Sequence, residues 1–475
     1  MAKLSLYLPP FSPDYSGAGS MLFDLNALTV MHDAGGCTGN YTGHDEPRWY
    51  GSKATVFCSA LRMMDAIMGN DQKLKDKIYA ALPELHPELI ALVGSPVPTV
   101  IGMDLKGLAH EIEEETGIPT IGIETTGNDY YDVGAYKAFA ALLEKFCPAK
   151  KSENEDQKTD DCLSIQKQGE ASIPCSECSD SSVTSVGDSA AYGADSPISF
   201  NVLGATPLDY ERVEDVDALK DFLQEQGFTQ IARPGFGYDL SELKRMGDAS
   251  VNIAVSHSGF LMAKYMEKKY GIPYLVGVPF GEDSLPDYVK MLRSTAETEK
   301  SGYFFSQDTG SEESGHEKAM YHENSTHENT PDSEHILTED TDAHISGFQS
   351  SVERDASRQK ALIIGDQVVC ESLRCYLKDR YEVTVGCIFG VDREVSSEGV
   401  LNLKSEKDIK EAVCDESFDV LIADPVIMKL LPGDHGKLLF PLPQYAVSGD
   451  IYYKTATQIL GNHTETWMLN QKNDA

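Results

Sequence analysis

Short apolar runs and amphipathic stretches alternate along most of the chain. Apolar runs of four to eight residues predict buried strands, and apolar residues at helical spacing predict helices. In the first block, residues 87–102 predict a strand, residues 104–117 a helix that ends at a glycine, and residues 118–127 the next strand. This order is that of a βαβ unit with parallel strands.

The same alternation continues in two further blocks. In the second block the pattern predicts strands within residues 199–207, 230–237, 250–259 and 272–281, and helices within 216–228, 239–249 and 260–271. In the third block it predicts strands within 360–366, 382–390 and 418–425, and a helix within 368–381. The fold class that we expect is α/β, with three Rossmann-like domains that have parallel sheets.

An internal repeat links the first two blocks. Gly117-Ile-Pro and Gly271-Ile-Pro each follow an amphipathic helix, and each is followed by a glycine ten positions later. Glycine ends a helix, and the second glycine opens the loop at the carboxyl end of the strand, where ligands bind in open α/β sheets. The repeat favours duplication of one Rossmann-type unit, and coincidence is the alternative.

Two polar stretches interrupt the blocks. Residues 150–197 and 300–358 are Ser-rich, mostly acidic and without apolar periodicity. Such stretches cannot bury enough apolar surface to offset the entropy of the chain. We expect two disordered acidic insertions there, which separate domains at 1–149, 198–299 and 359–475.

Charge and composition limit the partners. The chain has 475 residues and a net charge of -36, which argues against nucleic acid and against an anionic membrane surface. No apolar run reaches the roughly 18 residues that a transmembrane helix needs, and the N-terminus lacks the pattern of a signal peptide. The ten scattered cysteines do not look like a disulfide framework. We therefore expect a cytoplasmic protein with reduced thiols.

The loop at residues 32–43, HDAGGCTGNYTG, is the strongest candidate for chemistry. Its four glycines let the backbone approach a bulky ligand closely, and Cys37 stands among them. One interpretation is a thiolate held where a ligand or a cluster reaches it. The other is a tight turn that contains a small apolar residue.

The remaining motifs are weaker. No glycine fingerprint for a dinucleotide and no Walker loop is present, so we do not expect the chain itself to hydrolyse ATP. His257 follows a strand at the start of a helix, which suits either a site residue or an ordinary loop histidine. Cys175, Cys178 and the histidines of the second insertion favour a solvated tract over a metal site. We expect the cysteines in apolar contexts to be core residues, namely Cys58, Cys370, Cys375, Cys387 and Cys414.

These segments, in their order along the chain, resemble the nitrogenase component 1 family. Residues 32–43 resemble its His-Gly-Pro-x-Gly-Cys loop, and the match continues through residues 67–85, 92–142, 200–210, 249–281 and 361–366. The resemblance implies three Rossmann-like domains and pairing with a second component 1-type subunit or a second copy, as a dimer or tetramer. It also implies an iron–sulfur cluster and electrons delivered by a separate ATP-hydrolysing iron protein.

The chain departs from the family at the metal ligands. Of the three cysteines that catalytic subunits contribute to the interface cluster, Cys37 alone matches, and the other positions fall at Tyr15–Ser16 and Ser95–Pro96. The positions that hold the molybdenum–iron cofactor correspond to Ser256 and Pro443, so we expect no such cofactor in its usual ligation. One thiolate is too few for a four-iron cluster. Either Cys37 is one ligand of a cluster shared with the partner subunit, or the chain kept the fold of the family and lost the metal.

Two functions follow from this resemblance. The first is a subunit of a nitrogenase-like oxidoreductase that receives electrons from the iron protein through the shared cluster, with an unknown substrate. The alternative is a non-catalytic scaffold for the assembly of a metallocluster or a tetrapyrrole. A ligand is expected in the cleft between the domains, at the strand ends. Its candidate contacts are Gly127, Asn128, Tyr130, Ser256, His257 and Gln444.

Overall fold

The computed structural model describes residues 5–69, 71–147, 197–210, 214–306, 358–453 and 458–470. These residues form three parallel sheets with helices packed around them. The predicted insertions lie outside the described residues, except for their ends at 197, 300–306 and 358. Among the helices of the described ranges, none has both the length and the apolar character that a membrane span requires.

The first sheet has four strands in the spatial order β2-β1-β3-β4, and all their pairings are parallel. The strands are β1 (Ala27–Met31), β2 (Thr55–Cys58), β3 (Leu89–Val93) and β4 (Thr120–Ile123). The helices of this part are α1 (Asp14–Leu22), α2 (Gly36–Asn40), α3 (Met63–Met68), α4 (Asp71–Leu85), α5 (Pro96–Val100), α6 (Leu105–Thr116) and α7 (Tyr131–Phe146). The central strands β1 and β3 are buried along their whole length, as parallel strands covered on both faces must be.

The second sheet has five strands in the order β6-β5-β7-β8-β9. The strands are β5 (Ser199–Leu203), β6 (Thr229–Ala232), β7 (Val251–Ala254), β8 (Tyr274–Val276) and β9 (Gly302–Tyr303). The helices are α8 (Glu214–Glu225), α9 (Leu240–Arg245), α10 (His257–Tyr270) and α11 (Leu285–Thr298). The predicted order of strands and helices in this block is confirmed.

The third sheet also has five strands, in the order β12-β11-β10-β13-β14. The strands are β10 (Lys360–Gly365), β11 (Glu382–Cys387), β12 (Leu401–Asn402), β13 (Val420–Ala423) and β14 (Leu438–Pro441). The helices are α12 (Gln367–Leu377), α13 (Glu406–Cys414), α14 (Pro425–Met428), α15 (Tyr445–Ser448), α16 (Asp450–Tyr453) and α17 (His463–Asn470). The expected α/β class with three parallel sheets is therefore confirmed.

The first two sheets repeat one arrangement. In each, the first strand lies beside the second on one side and beside the third on the other, and the fourth follows the third. Gly117 and Gly271 end the helices before β4 and β8 with the same left-handed φ of 70°. Their N–H groups donate to the carbonyls of Glu113 (2.8 Å) and Glu267 (2.9 Å). The repeated sequence thus holds the same place in both sheets, which agrees with duplication of one unit.

The structure corrects two boundaries. Residues 300–306, which composition assigns to the second insertion, contain the edge strand β9, which pairs with β8. Phe305 packs into the core there, so backbone pairing and aromatic burial outweigh the polar surroundings. Residues 96–100, part of the first predicted strand, form α5 instead. Pro96 favours the first turn of a helix, where it loses no hydrogen bond.

Close helix packing joins the domains. Helix α1 packs on α7 at Gly17 and Gly134, where a Cβ would overlap the backbone of Tyr131 and Asp14. Helix α7 in turn packs on α10 of the second domain. The N-terminal Leu8 lies in the apolar cluster of the third sheet. The first domain therefore contacts both of the others through its helices and its N-terminal segment.

Candidate functional site

Cys37 lies at the carboxyl edge of the first sheet. The chain leaves β1 at Met31, turns at Gly35 with a φ of 131° that favours glycine, and enters α2. The order β2-β1-β3 places this loop between the segments that follow β2 and β3. A Cβ at Gly36 or Gly39 would meet no heavy atom within 4 Å. These glycines therefore give α2 an open face rather than a packed turn.

Asp33 holds the Cys37 loop in place. Its carboxylate accepts the N–H groups of Gly35 (2.8 Å) and Thr38 (3.1 Å). The thiol of Cys58, at the end of the edge strand β2, lies 3.4 Å from the Asp33 carbonyl oxygen. Cys58 is half-buried and touches this loop, which corrects its assignment to the core.

The surroundings of Cys37 disfavour a free thiolate. Burial raises the pKa of the Cys37 thiol, and the negative charge of Asp33 raises it further. A hydrogen bond from the Tyr15 hydroxyl acts in the opposite direction without reversing the shift. The resemblance places the two further cysteines of the family at Tyr15–Ser16 and at Ser95–Pro96. Ser95 is buried, and its hydroxyl donates to the carbonyl of His32 at 2.9 Å.

This donor set tests the iron–sulfur cluster that the resemblance implies. Such clusters are held by thiolates. Of the three positions that the resemblance assigns to cluster ligands, Cys37 supplies a thiol, and Tyr15–Ser16 and Ser95–Pro96 supply none. In the described part of the chain, no three His, Cys, Asp or Glu side chains are grouped so that they could hold a metal ion. The described residues of this chain do not by themselves fit a four-iron cluster.

An exposed apolar surface flanks the Cys37 loop on both sides. Its seven side chains follow β2 or β3 and are 38–85% exposed. They are Met63, Met64, Ile67, Met68, Val97, Val100 and Ile101. Asp65 and Ala66 of α3 line a common cleft with Ile101, so α3 and the end of α5 lie close together. Groups of exposed apolar side chains mark interaction sites, and we call these seven residues the apolar surface.

The three domains meet at His257. The imidazole Nδ1 lies 2.7 Å from the Asp132 carboxylate of α7, in the first domain. The backbone N–H of His257 donates to Asp366, directly after β10 in the third domain, at 2.9 Å. The neighbouring Ser258 hydroxyl donates to Asp209, in the second domain, at 2.8 Å. We call His257 and the three aspartates the junction.

Burial, hydrogen bonds and nearby charges shift the pKa values of the junction residues. Burial lowers the pKa of His257, but its hydrogen bond to Asp132 and the charges of Asp132 and Asp366 outweigh this effect and raise it. Burial also raises the pKa of Asp366, and it raises that of Asp209 to about 7. Asp132 contacts the imidazole, whereas Asp366 binds the backbone N–H of His257 and Asp209 binds the Ser258 hydroxyl. The raised pKa values of Asp209 and His257 favour their protonated forms.

Apolar and aromatic side chains fill the space beside the junction. Tyr131, Leu208 and Tyr445, one from each domain, form a buried cluster with Phe389. The rings of Tyr131 and Phe389 meet edge to face, with their centroids 5.0 Å apart. Tyr130 packs edge-on against the same Phe389 ring at 5.7 Å. At this point the expected cleft between the domains is occupied by the chain's own side chains.

Ser256 and Gln444 are two further candidate contacts of a ligand. Ser256 is buried, and its hydroxyl accepts the N–H of Gly259 at the start of α10. Gln444 is also buried, and its N–H donates to Asp424 at 2.9 Å. The Gln444 side chain lies beside Gly365. Because Gly365 directly precedes Asp366, Gln444 is close to the junction.

Gly127 and Asn128 lie near the Cys37 loop rather than near the junction. The N–H of Gly127 donates to the buried Asp14 carboxylate at 2.7 Å, and Asn128 is exposed. A Cβ at Gly127 would lie 3.7 Å from the Tyr15 ring, whose hydroxyl reaches Cys37. The candidates thus fall into a group near Cys37 and a group near the junction, and contact with a ligand stays a prediction.

Sequence reasoning missed the carboxylates of the junction. Asp366 directly follows a predicted strand, at the position where ligand contacts are expected in α/β sheets, and this placement was a usable signal. Asp132 and Asp209 carry no comparable local signal. Of the other cysteines, Cys370 and Cys387 are buried as predicted, whereas Cys375 and Cys414 are half-buried. Cys175, Cys178 and the histidines of the second insertion lie outside the described residues.

Comparison with solved structures agrees with the fold. The structure described as "Nitrogenase Cp1 at pH 6.5" matches with a TM-score of 0.61 at 12% identity, and the match covers 100% of this chain and 94% of that chain. The structure described as "Nitrogenase Cp1 at pH 5" matches with a TM-score of 0.55 at 14% identity, covering 99% and 90%. At these identities the likeness shows the fold alone.

Relatives in sequence extend the comparison. "Nitrogenase iron-molybdenum cofactor biosynthesis protein NifE" of Clostridium pasteurianum is 25% identical over 254 residues, which cover 52% of this chain and 46% of that protein. The protein of the same name from Methanosarcina barkeri is 24% identical over 287 residues, covering 60% and 54%. The chain thus spans about half the length of these two relatives.

A third relative and a family model complete the comparison. A light-independent protochlorophyllide reductase subunit from Prosthecochloris aestuarii is 33% identical over 95 residues, covering 20% of this chain and 18% of that protein. The sequence model of the family described as "Nitrogenase component 1 type Oxidoreductase" matches residues 14–312, which are more than half of the chain. The chain therefore belongs to the nitrogenase component 1 type oxidoreductase family.

Proposed function

We propose that this chain is a subunit of a nitrogenase-like oxidoreductase and that it pairs, through the surface around Cys37, with a second component 1-type subunit or a second copy. One observation carries the proposal. The open glycine face of α2 lies between the two halves of the apolar surface. Exposed apolar side chains of this number are costly to leave in water unless a partner covers them.

Cys37 supplies one thiolate to an iron–sulfur cluster in this proposal, and the partner supplies the other ligands. Such a cluster, when bound, accepts and passes on single electrons. Within this chain, Asp33 fixes the loop, and the Tyr15 hydroxyl contacts the sulfur. Because burial and Asp33 keep the thiol protonated in the free chain, we expect the chain alone to hold little iron.

The source of electrons in this proposal is a separate ATP-hydrolysing iron protein. The chain carries no Walker loop of its own, so ATP hydrolysis belongs to another component. The substrate is left open, because a fold of this kind supports more than one chemistry.

Iron and sulfide content of the anaerobically purified complex tests the role of Cys37. We expect the complex with the component 1-type partner to carry both, and Cys37→Ala to lose at least half of the iron. The matched control is Cys414→Ala, which removes another half-buried thiol, in the third domain, and should leave the iron content unchanged. Cys58→Ala is a poorer control because its thiol touches Asp33. Full iron content in the Cys37→Ala complex would remove the ligand role.

The second candidate is a non-catalytic scaffold for a metallocluster or a tetrapyrrole. Two observations favour it: the NifE relatives are named for cofactor biosynthesis, and side chains fill the junction where a substrate was expected. A scaffold, once loaded, should transfer its cargo to an acceptor protein and should not turn over with the iron protein and ATP. Turnover that depends on the iron protein would decide for the oxidoreductase.

A further inference from the structure

A cleft of about 320 Å³ opens beside the apolar surface, at the carboxyl edge of the first sheet. Its walls come from α3, from the end of α5 and from the first turns of α4 and α6. Four carboxylates line it, and no lysine or arginine is among its described lining residues. These are Asp65, Asp71, Asp104 and Glu111. We call this feature the acidic cleft.

Two of the four carboxylates have cationic partners outside the cleft, and one caps a helix. Asp65 accepts from Lys73 at 2.6 Å, and Glu111 pairs with Lys75 at 2.9 Å. Asp104 accepts the N–H of Gly107 at the start of α6. Arg62 and Lys77 also lie close enough to act on Asp65 and His32. Among the described residues, the carboxylates of the cleft without a lysine or arginine in salt-bridge distance are therefore Asp71 and Asp104.

His32 provides an independent sign of a missing partner. It directly follows β1, lines the acidic cleft and is 3% exposed. Neither ring nitrogen has a hydrogen-bond partner among the described residues. Burial lowers the pKa of His32 to about 4, so the ring is neutral at pH 7 and offers a lone pair without repelling a cation. Buried polar atoms without partners are rare in folded proteins, and a bound group is one way in which they are satisfied.

The donor arrangement decides which cation suits the cleft. The described residues contain no group of three metal-ligating side chains, so direct metal coordination is not favoured. A guanidinium or ammonium group needs only hydrogen-bond acceptors around it and can lie among carboxylates that keep their own partners. The apolar surface lies at the rim, with Ile101 common to both.

We infer that the acidic cleft receives an arginine or lysine side chain that the partner subunit presents from within an apolar docking face. The identity of that partner rests on the proposed function, whereas the cation-binding site does not. The partner would therefore present a basic residue flanked by apolar residues. An exposed apolar surface alone would not require the basic residue.

Agmatine, which carries a guanidinium and an amine, is a direct probe of the free chain. We expect it to shift the methionine methyl signal of Met103, which lines the cleft, in low-salt titrations followed by NMR of methyl-labelled methionine. The double variant Asp71→Asn/Glu111→Gln should weaken agmatine binding at least tenfold. The matched control Asp76→Asn/Glu114→Gln changes the same charges on α4 and α6 outside the cleft and should stay within twofold.

Four results would overturn the inference. An unmoved Met103 signal, or equal binding by the two double variants, would remove the site. A stronger response to magnesium chloride than to agmatine would make the site one for metal ions. In the complex with the partner, Met103 should no longer respond to agmatine, and a persisting response would remove the partner's side chain as the occupant. If no complex forms, the proposed function fails, but the titrations of the free chain still decide the site.

Discussion

The Cys37 loop and the junction both stand at the carboxyl ends of parallel strands, yet they are built in opposite ways. The loop is held by Asp33, exposes glycines and lies between exposed methionine, valine and isoleucine side chains. The junction is closed, with His257 and its aspartates buried behind aromatic rings. Strand ends therefore provide one exposed apolar surface, which we propose a partner covers, and one buried polar link between the three domains.

This difference indicates where function resides. A side chain that binds a partner must be accessible in the free chain, which the apolar surface satisfies and the junction does not. The junction instead joins residues far apart in sequence, such as Asp132 and His257, through buried hydrogen bonds. Substitutions in the two regions should therefore separate pairing from stability.

The largest expected effect is loss of stability at the junction. Asp366→Ala removes an acceptor from His257 and the cap of α12, and leaves buried donors without partners. We expect the free energy of unfolding to fall by about 3–5 kcal/mol, as when one member of a buried charged pair is removed. Urea unfolding of the variant and of the unchanged chain measures this difference in the free energy of unfolding.

Asp239→Ala is the matched control for this substitution. Asp239 also caps a helix, α9, but it does so at the surface, so its removal should cost about 1 kcal/mol. Equal losses for the two variants would show that the junction adds nothing beyond a helix cap.

The next effect is on pairing. Ile67→Glu places a charge on the apolar surface, where Ile67 is 69% exposed, and should weaken the complex with the partner subunit at least tenfold. Stability of the chain alone should change by no more than about 0.5 kcal/mol, as is usual for exposed positions. Analytical ultracentrifugation of the complex measures the pairing.

Ile451→Glu is the corresponding control. Ile451 is 61% exposed but lies outside the apolar surface, so this variant should pair normally. If both variants pair normally, the partner does not cover the apolar surface.

The third effect is a loss of stability as pH rises. The pKa of Asp209 is raised from 3.8 to about 7 in the folded chain. Its stabilising contribution is therefore complete below pH 4 and is lost as pH rises through 7. The raised pKa of His257 adds a loss above pH 6.5. Between pH 5 and pH 8 we expect a decrease of roughly 2–3 kcal/mol in the free energy of unfolding.

Urea titrations at four pH values measure this slope. Asp209→Asn, which cannot ionise, should flatten the slope. The control Asp129→Asn, at an exposed position, should leave the slope unchanged. A free energy of unfolding that rises between pH 5 and pH 8 would contradict the charge assignment of the junction.

The smallest effect concerns the glycines of the loop. A Cβ at Gly39 meets nothing within 4 Å, so Gly39→Ala should alter the stability of the free chain by at most about 0.5 kcal/mol. The added methyl group should weaken pairing two- to fivefold, because it stands on the open face of α2. Gly134→Ala, where the Cβ overlaps the backbone of Asp14, should instead destabilise the free chain strongly. Unchanged pairing of Gly39→Ala would place the partner elsewhere.

Local patterns in the sequence determined β5 to β8 and α8 to α10 of the second domain, the parallel class of the sheets and the helix ends at Gly117 and Gly271. Each depends on apolar spacing or on the backbone freedom of glycine, which act over a few residues. The Cys37 loop was also identifiable, because its composition is unusual by itself. These features need no knowledge of distant parts of the chain.

Tertiary structure alone decided the rest. The polar segment containing β9 is ordered by pairing with an existing sheet edge, and Cys58 lies on an edge strand beside Asp33 rather than in the core. His257 became a link between domains only because Asp132 and Asp366, each more than a hundred residues away, come within hydrogen-bonding distance. Contacts at such separations depend on how whole domains pack, and a periodicity of two or 3.6 residues carries no information about them.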